Sequence, residues 1–403
     1  MLIEFTVGNY LSFKDKKTLS MEATAIKDNP ENVIETGKYR LLRSAVIYGA
    51  NSSGKSNFIK ALDTMNKLVT SSAKNNSTSD IDVIPFLLNI ETENQPSYFE
   101  ILFLIDGIRY RYGFEADNKI IHAEWLYECK SNSEKFLFIR EKDSIEITSD
   151  FEEGKWIEEK TRDNALFLSI VDQFNGAISK KIMLWFERQR ILSGLQHENE
   201  KALTFGILKD DDMKHMIKDF LSPLGLGFQD FELKDNKIIT FHNKFDKLGN
   251  IIDKREFDLL KQESSGTNKL YDMAGNLIFG LKMGTLTVID ELDAKLHPLL
   301  TMAIVKLFNS PIHNPINAQL IFATHDTNLL NYGCFRRDQI FFTEKSSFES
   351  TDLYSLVEYI ESDGKKVRND RSFEKDYIAG RYGAIPFVGD FSKLTNNGQS
   401  SEN

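Results

Sequence analysis

The run Gly49-Ala50-Asn51-Ser52-Ser53-Gly54-Lys55-Ser56 restricts what this chain can fold into more than any other segment. It follows the short apolar run Ala45-Val46-Ile47-Tyr48 and precedes apolar residues at helical spacing, Phe58, Ile59, Leu62, Met65, Leu68 and Val69. A buried strand, a glycine loop and a helix are therefore expected in that order. Glycines let the backbone curl until consecutive N–H groups converge, and the helix that follows adds its positive end. Such a loop suits the phosphates of a nucleotide. Gly49, Asn51, Ser53 and Gly54 would shape the cradle, Lys55 would reach the β and γ phosphates, and the Ser56 hydroxyl could ligate Mg²⁺. The competing reading is a glycine turn before an unrelated helix, and the flanking strand and helix argue against it.

Three later segments carry chemistry that fits the same ligand. Thr285-Leu286-Thr287-Val288-Ile289-Asp290-Glu291 reads as a buried strand ending in two carboxylates. Asp290 would hold a metal shell, directly or through water, and Glu291 would polarise an attacking water. Gln319-Leu320-Ile321-Phe322-Ala323-Thr324-His325-Asp326 is a second buried strand, and it ends in Thr-His. An imidazole at the carboxyl edge of a sheet can contact a γ-phosphate or the attacking water. Glu263-Ser264-Ser265-Gly266-Thr267-Asn268 leads into a helix with Leu270, Met273, Ala274, Leu277, Ile278 and Leu281 facing inward. Each has a plain alternative: acidic residues often end strands, a lone histidine is usually structural, and Ser-Gly before a helix is a common cap. Their order along one chain favours the chemical reading.

Elsewhere the pattern is structural. Residues 2–7 alternate like a strand, and Phe99–Leu104 with Ile108–Phe114 around Asp106-Gly107 is hairpin chemistry. Residues 165–225 look mainly helical, from Ile178, Ile182, Trp185 and Phe186 and again from Met213, Met216, Ile217, Phe220 and Leu221. Short strands return at 226–260 around a Leu248-Gly249-Asn250 turn, and residues 71–79 read as a flexible loop. From about Glu263 helices and strands alternate, which points to a parallel α/β sheet.

The net charge of −10 argues against nucleic-acid binding through bulk charge, while leaving a local basic stripe open. The two cysteines, Cys129 and Cys334, match no metal spacing and fit a reducing compartment. The start lacks the basic and apolar regions of a signal peptide, and no apolar run approaches the roughly 20 residues of a membrane span. A cytoplasmic protein is expected.

The four segments together resemble the ABC-type ATPases, and more closely their SMC/RecF branch. Gly49–Ser56 is similar to the Walker A loop and Val288–Glu291 to the Walker B strand. Asp293 falls at the D-loop position, His325 at the switch histidine and Ser264-Ser265-Gly266-Thr267 at the signature motif. Glu263, Ser265 and Thr267 depart from the usual L-S-G-G-Q, while Ser264 and Gly266 are retained. Asn9-Tyr10-Leu11-Ser12-Phe13, Asn57 and Gly380-Arg381-Tyr382-Gly383-Ala384-Ile385-Pro386 extend the resemblance to stand-alone ATPases of bacterial abortive-infection and phage-defence loci, related to the ATPase half of OLD-family proteins.

The resemblance implies an α/β fold: an ABC-type head, with an antiparallel β subdomain and a parallel α/β core, over residues 1–160 and 260–393. A mainly helical insertion or lid would fill 161–259, and 394–403 would be a disordered tail. It implies ATP and Mg²⁺ as cofactors, with Ser264, Gly266 and Asp293 among the nucleotide-binding residues, and a homodimer or higher oligomer in which each signature faces another copy's Walker A loop and Ser264 contacts its γ-phosphate. The leading expectation is a slow regulatory ATPase that switches a separate effector in an abortive-infection system. The alternative is a RecF/SMC-like DNA-maintenance ATPase; a transporter's nucleotide-binding subunit fits less well because of the long insertion. Glu344, Asp352 and Asp363 are expected to be solvated carboxylates rather than a nuclease site.

Overall fold

The computed structural model describes residues 1–130, 133–142, 144–193, 198–361 and 364–386. The expected tail and Asp363 lie outside the described residues. Two sheets organise the chain. One is antiparallel and seven-stranded, in the spatial order Ser144–Ile147, Lys135–Glu141, Ile121–Cys129, Ile108–Ala116, Ser97–Ile105, Leu2–Gly8, Lys17–Ser20. Its Asp106-Gly107 hairpin has both turn residues at positive φ, 50° and 78°, as the tight primed turns of hairpins require.

The other sheet is six-stranded, in the order Arg190–Ser193, Leu286–Asp290, Gln319–Ala323, Ser44–Gly49, Ile340–Lys345, Thr351–Ser355. Neighbours pair in parallel except at the last strand, which runs antiparallel. Ala45 and Ile47 point into one hydrophobic core, Val46 and Tyr48 into another. Burial on both faces explains why this strand is a continuous apolar run and not an alternating one. Between the two sheets lie the helices Lys55–Ser71, Phe167–Gln173 and Ala177–Glu187, whose apolar faces share one core with both. Ser265–Met283 and Pro298–Asn309 cover the opposite face of the parallel sheet. The α/β head expected from the sequence is present.

The stretch read as a mainly helical insertion is divided. Up to Ser193 it belongs structurally with the head: Arg190–Ser193 pairs with Leu286–Asp290 as the sheet's edge strand, and Asn66 Nδ2 donates to the Phe186 carbonyl at 2.7 Å. A four-residue strand between helices is too short to leave a periodic signal. Beyond it, helix Asp211–Leu221 is followed by a three-stranded antiparallel sheet, Asp230–Lys234, Lys237–Phe245 and Ile251–Asp258. The last of these strands is exposed along most of its length, so its sequence carries no inward face. The loop expected at 71–79 is anchored at its start, where the buried Ser72 hydroxyl donates to Ser169 Oγ and accepts the Leu166 N–H.

Candidate functional site

The phosphate loop joins the carboxyl end of Ser44–Gly49 to the amino end of helix Lys55–Ser71. Gly54 has φ +114°, and a Cβ there would meet the Thr351 hydroxyl at 2.3 Å, so only glycine fits. Gly49 is confined in the same way by Ser53 and Thr343, each 2.5 Å from an added Cβ. Lys55 is buried, and its Nζ donates to the carbonyls of Gly49 at 2.8 Å and Ala50 at 3.0 Å. Burial pushes its pKa down to about 8, against the opposing pull of Asp290, Glu291 and Asp293. Asn51 and Ser56 are exposed at the loop's rim.

Elements distant in sequence hold this loop. Ser53 Oγ pairs with Thr343 Oγ1 at 2.6 Å, and Thr351 Oγ1 donates to the Ser53 carbonyl at 2.9 Å. Ser12 meets Thr351 Oγ1 at 2.8 Å and accepts Asn57 Nδ2 at 2.7 Å. Asn9 is at φ 45°, and its amide nitrogen donates to the carbonyls of Thr92, Gln95 and Pro96 while its oxygen accepts the Phe86 N–H. The Asn9–Phe13 motif thus supports the loop from below, and Asn57 is its link. The Gly380–Pro386 motif is tied to its neighbours: Tyr377, just before it, donates to the Ala384 carbonyl at 3.1 Å and lies 5.7 Å from Tyr48 ring to ring, and Tyr354 donates to the Tyr382 carbonyl at 2.6 Å. A Cβ on Gly383, at φ +68°, would meet Glu344 Oε2 at 2.6 Å.

The acidic and histidine strands run parallel to the phosphate-loop strand, so their carboxyl ends emerge at the same edge. Asp290 ends its strand with Oδ1 buried and without a hydrogen-bond partner in the protein. Glu291 follows at φ 50°, a left-handed conformation that costs a non-glycine residue about 1–2 kcal/mol. The Asp293 carboxylate accepts the His325 main-chain N–H at 3.3 Å. Desolvation of the ring and the charge of Lys55 hold the His325 pKa below its usual value, against Asp293, Glu291 and Asp290. Lys55, Asp290, Glu291, Asp293 and His325 therefore share one electrostatic environment.

Ser264 and Gly266 sit at the start of a helix that packs on the acidic turn. Ser264 caps helix Ser265–Met283, its Oγ accepting the Thr267 N–H at 3.1 Å. Gly266 lies against the Lys295 carbonyl, 2.8 Å from where a Cβ would sit. Glu263, at the signature position usually held by leucine, accepts His242 Nε2 at 2.6 Å and the Thr240 hydroxyl at 2.5 Å. That carboxylate ties the signature to the three-stranded sheet. Among the described residues no hydrogen bond joins Ser264 or Gly266 to the phosphate loop of the same chain.

The donor set fits a phosphate-bound divalent cation: an exposed Ser56 hydroxyl, and a buried carboxylate oxygen on Asp290 that has no partner within the protein. Glu344 and Asp352 sit opposite one another across a strand pair, but Asp352 is bonded to Lys17 at 2.5 Å and Glu344 accepts the Tyr354 hydroxyl at 3.3 Å. Among the described residues no three histidine, cysteine or acidic side chains form a metal cluster. The supporting residues Thr343 and Thr351 left no sequence signal, since their role depends on strand pairing. Ser12 was legible only as part of its motif.

A family model described as "AAA domain, putative AbiEii toxin, Type IV TA system" matches residues 44–331, from the phosphate-loop strand to just past His325. The chain belongs to this family. Membership of an AAA-domain family supports ATP hydrolysis by this chain. Solved structures similar to it include the SMC head domain from Thermotoga maritima (14% identity, 88% of this chain and 98% of that chain, TM-score 0.45). An SMC head bound to the C-winged helix domain of ScpA shares 11% identity over 88% of this chain and 97% of that one, with TM-score 0.42. CbiO1 from Clostridium perfringens, part of the ABC transporter complex cbiONQ, shares 12% identity over 85% and 86%, with TM-score 0.33. At these identities the likeness extends no function to this chain. No curated protein matches it. Among the described residues no helix is long and apolar enough to cross a membrane.

Proposed function

We propose that this AbiEii-family ATPase is a slow, ATP-driven dimerisation switch that controls a separate effector in an abortive-infection system. The observation that carries the chemical part is the buried, unpartnered Asp290 Oδ1 at the sheet edge, in the same electrostatic environment as Lys55.

Nucleotide enters over the loop N–H groups, and Lys55 exchanges its two loop carbonyls for phosphate oxygens. Asn51, Ser53, Gly54 and Ser56 line the phosphates, and Asn57 holds the loop to Ser12. Ser56 and Asp290 would hold Mg²⁺, which when bound neutralises phosphate charge. Glu291 takes the proton of the attacking water. His325, kept neutral near pH 7 by its lowered pKa, hydrogen-bonds that water or the γ-phosphate, with Asp293 fixing its main chain. Ser264 and Gly266, which make no hydrogen bond to their own loop, meet the nucleotide of a second copy, so ATP joins two heads and hydrolysis parts them.

Glu291→Gln tests this directly. With ATP and Mg²⁺ it is expected to run as a dimer in size-exclusion chromatography, with turnover reduced about 10²–10⁴-fold. A monomer in ATP, or unchanged turnover, would refute the switch. The trapped dimer, used as bait in the native host, should retain an effector that the ADP form releases.

A further inference from the structure

Helix Ser265–Met283 buries a lysine, Lys269, completely, one turn beyond the signature. Its Nζ donates to the main-chain carbonyls of Glu291 at 3.1 Å, Leu292 at 3.0 Å and Ala294 at 2.6 Å. An amine with three acceptors at these distances needs three N–H bonds, and only the ammonium form has them. These acceptors span the turn that carries Glu291 and Asp293, the two carboxylates assigned to water activation and to His325.

We propose that Lys269 is a positioning residue, a clamp that fixes the acidic turn to the signature helix so that both surfaces of the ATP site move as one body. The proposal rests on the ATPase reading above for its kinetic consequence, but not for its structural one. Two other features of the turn are consistent with a clamp. Glu291 and Lys295 hold left-handed φ of 50° and 61°, conformations that persist only where surroundings impose them. Gly266 also approaches the Lys295 carbonyl so closely that any side chain would force the helix off the turn. The Asp293 contact with the His325 N–H then passes the position of the signature helix to the histidine strand. On the other side, Glu263 carries that helix's first turn to His242 and Thr240 of the three-stranded sheet.

Lys269→Met removes the donors and keeps the apolar stem. Hydrogen exchange on the nucleotide-free protein should quicken in the segment 291–297, whose Leu292, Ala294 and Leu296 amides are bonded within or beside the turn. The rest of the signature helix should stay protected. In steady-state kinetics kcat should fall at least about 10-fold, with ATP affinity within about 2-fold of wild type, and Lys269→Arg should recover part of kcat. Unchanged exchange in 291–297 overturns the clamp whether or not the protein hydrolyses ATP. Faster exchange with wild-type kcat overturns the positioning role, provided the wild type turns ATP over. Faster exchange in a protein that neither binds nor hydrolyses ATP upholds the clamp and sinks the ATPase reading. If Lys269→Met gives no cooperative melt, Lys269→Gln, which keeps two donors, is read by the same criteria.

Discussion

The phosphate loop and the signature turn are both built from glycine and serine ahead of a helix, yet the molecule supports them in opposite ways. The loop is held from every side by side chains of the head: Thr343, Thr351, Ser12 and, through Ser12, Asn57. The signature turn rests on the Lys269 clamp and the Gly266 contact on one side and on Glu263 with its His242 and Thr240 partners on the other. The strand beyond those partners, Ile251–Asp258, is largely exposed. A rigid cradle suits a ligand that must be gripped in one geometry. A turn hung between the acidic loop and a peripheral sheet suits a surface that reports on a neighbour, because whatever moves the sheet moves Ser264.

The comparison breaks most readily at Lys55. Replacing it with alanine would remove the charge-assisted contact to phosphate proposed above, and such losses cost about 2–5 kcal/mol. ATP affinity measured by equilibrium dialysis is expected to fall at least about 100-fold, and unchanged affinity would end the loop assignment.

A smaller effect separates the two regions by pH. With its pKa lowered to about 8, Lys55 is mostly charged at pH 7 and mostly neutral at pH 9 in the nucleotide-free protein. Bound phosphates favour the ammonium, so binding takes up a proton above pH 8 and affinity falls as pH rises. The decline should be about 10-fold between pH 7 and pH 9, by the proton linkage of one group. A flat profile over that window would mean that Lys55 is not the group gripping phosphate.

The smallest effect sharpens the other half of the contrast. Glu263→Gln removes the carboxylate that His242 meets but keeps an acceptor, so unfolding stability should drop by only about 1 kcal/mol. ATP affinity should stay as it was, while the ATP-dependent dimer should weaken. Loss of nucleotide affinity in that variant would show that Glu263 supports the phosphate loop as well as the signature turn.

The amino-acid sequence by itself determined the strand–loop–helix unit, the acidic and histidine strands and the α/β class. Each of these is a local pattern: glycines where the backbone must turn tightly, and unbroken apolar runs where a strand is buried on both faces. The antiparallel half was legible for the same reason, from the alternation of Leu2–Val7 and the Asp106-Gly107 turn. Tertiary structure alone decided what stands behind the site. Thr351 reaches the loop because its strand pairs at the sheet edge some three hundred residues away, a separation the chain's local patterns do not encode. Arg190–Ser193 became a head strand because a partner strand was there to receive it. Lys269 reads as an ordinary polar position in its helix until the acidic turn folds over it and its ammonium finds three carbonyls. Local chemistry named the groups proposed to face ATP, and only packing determined which parts of the protein hold them in place.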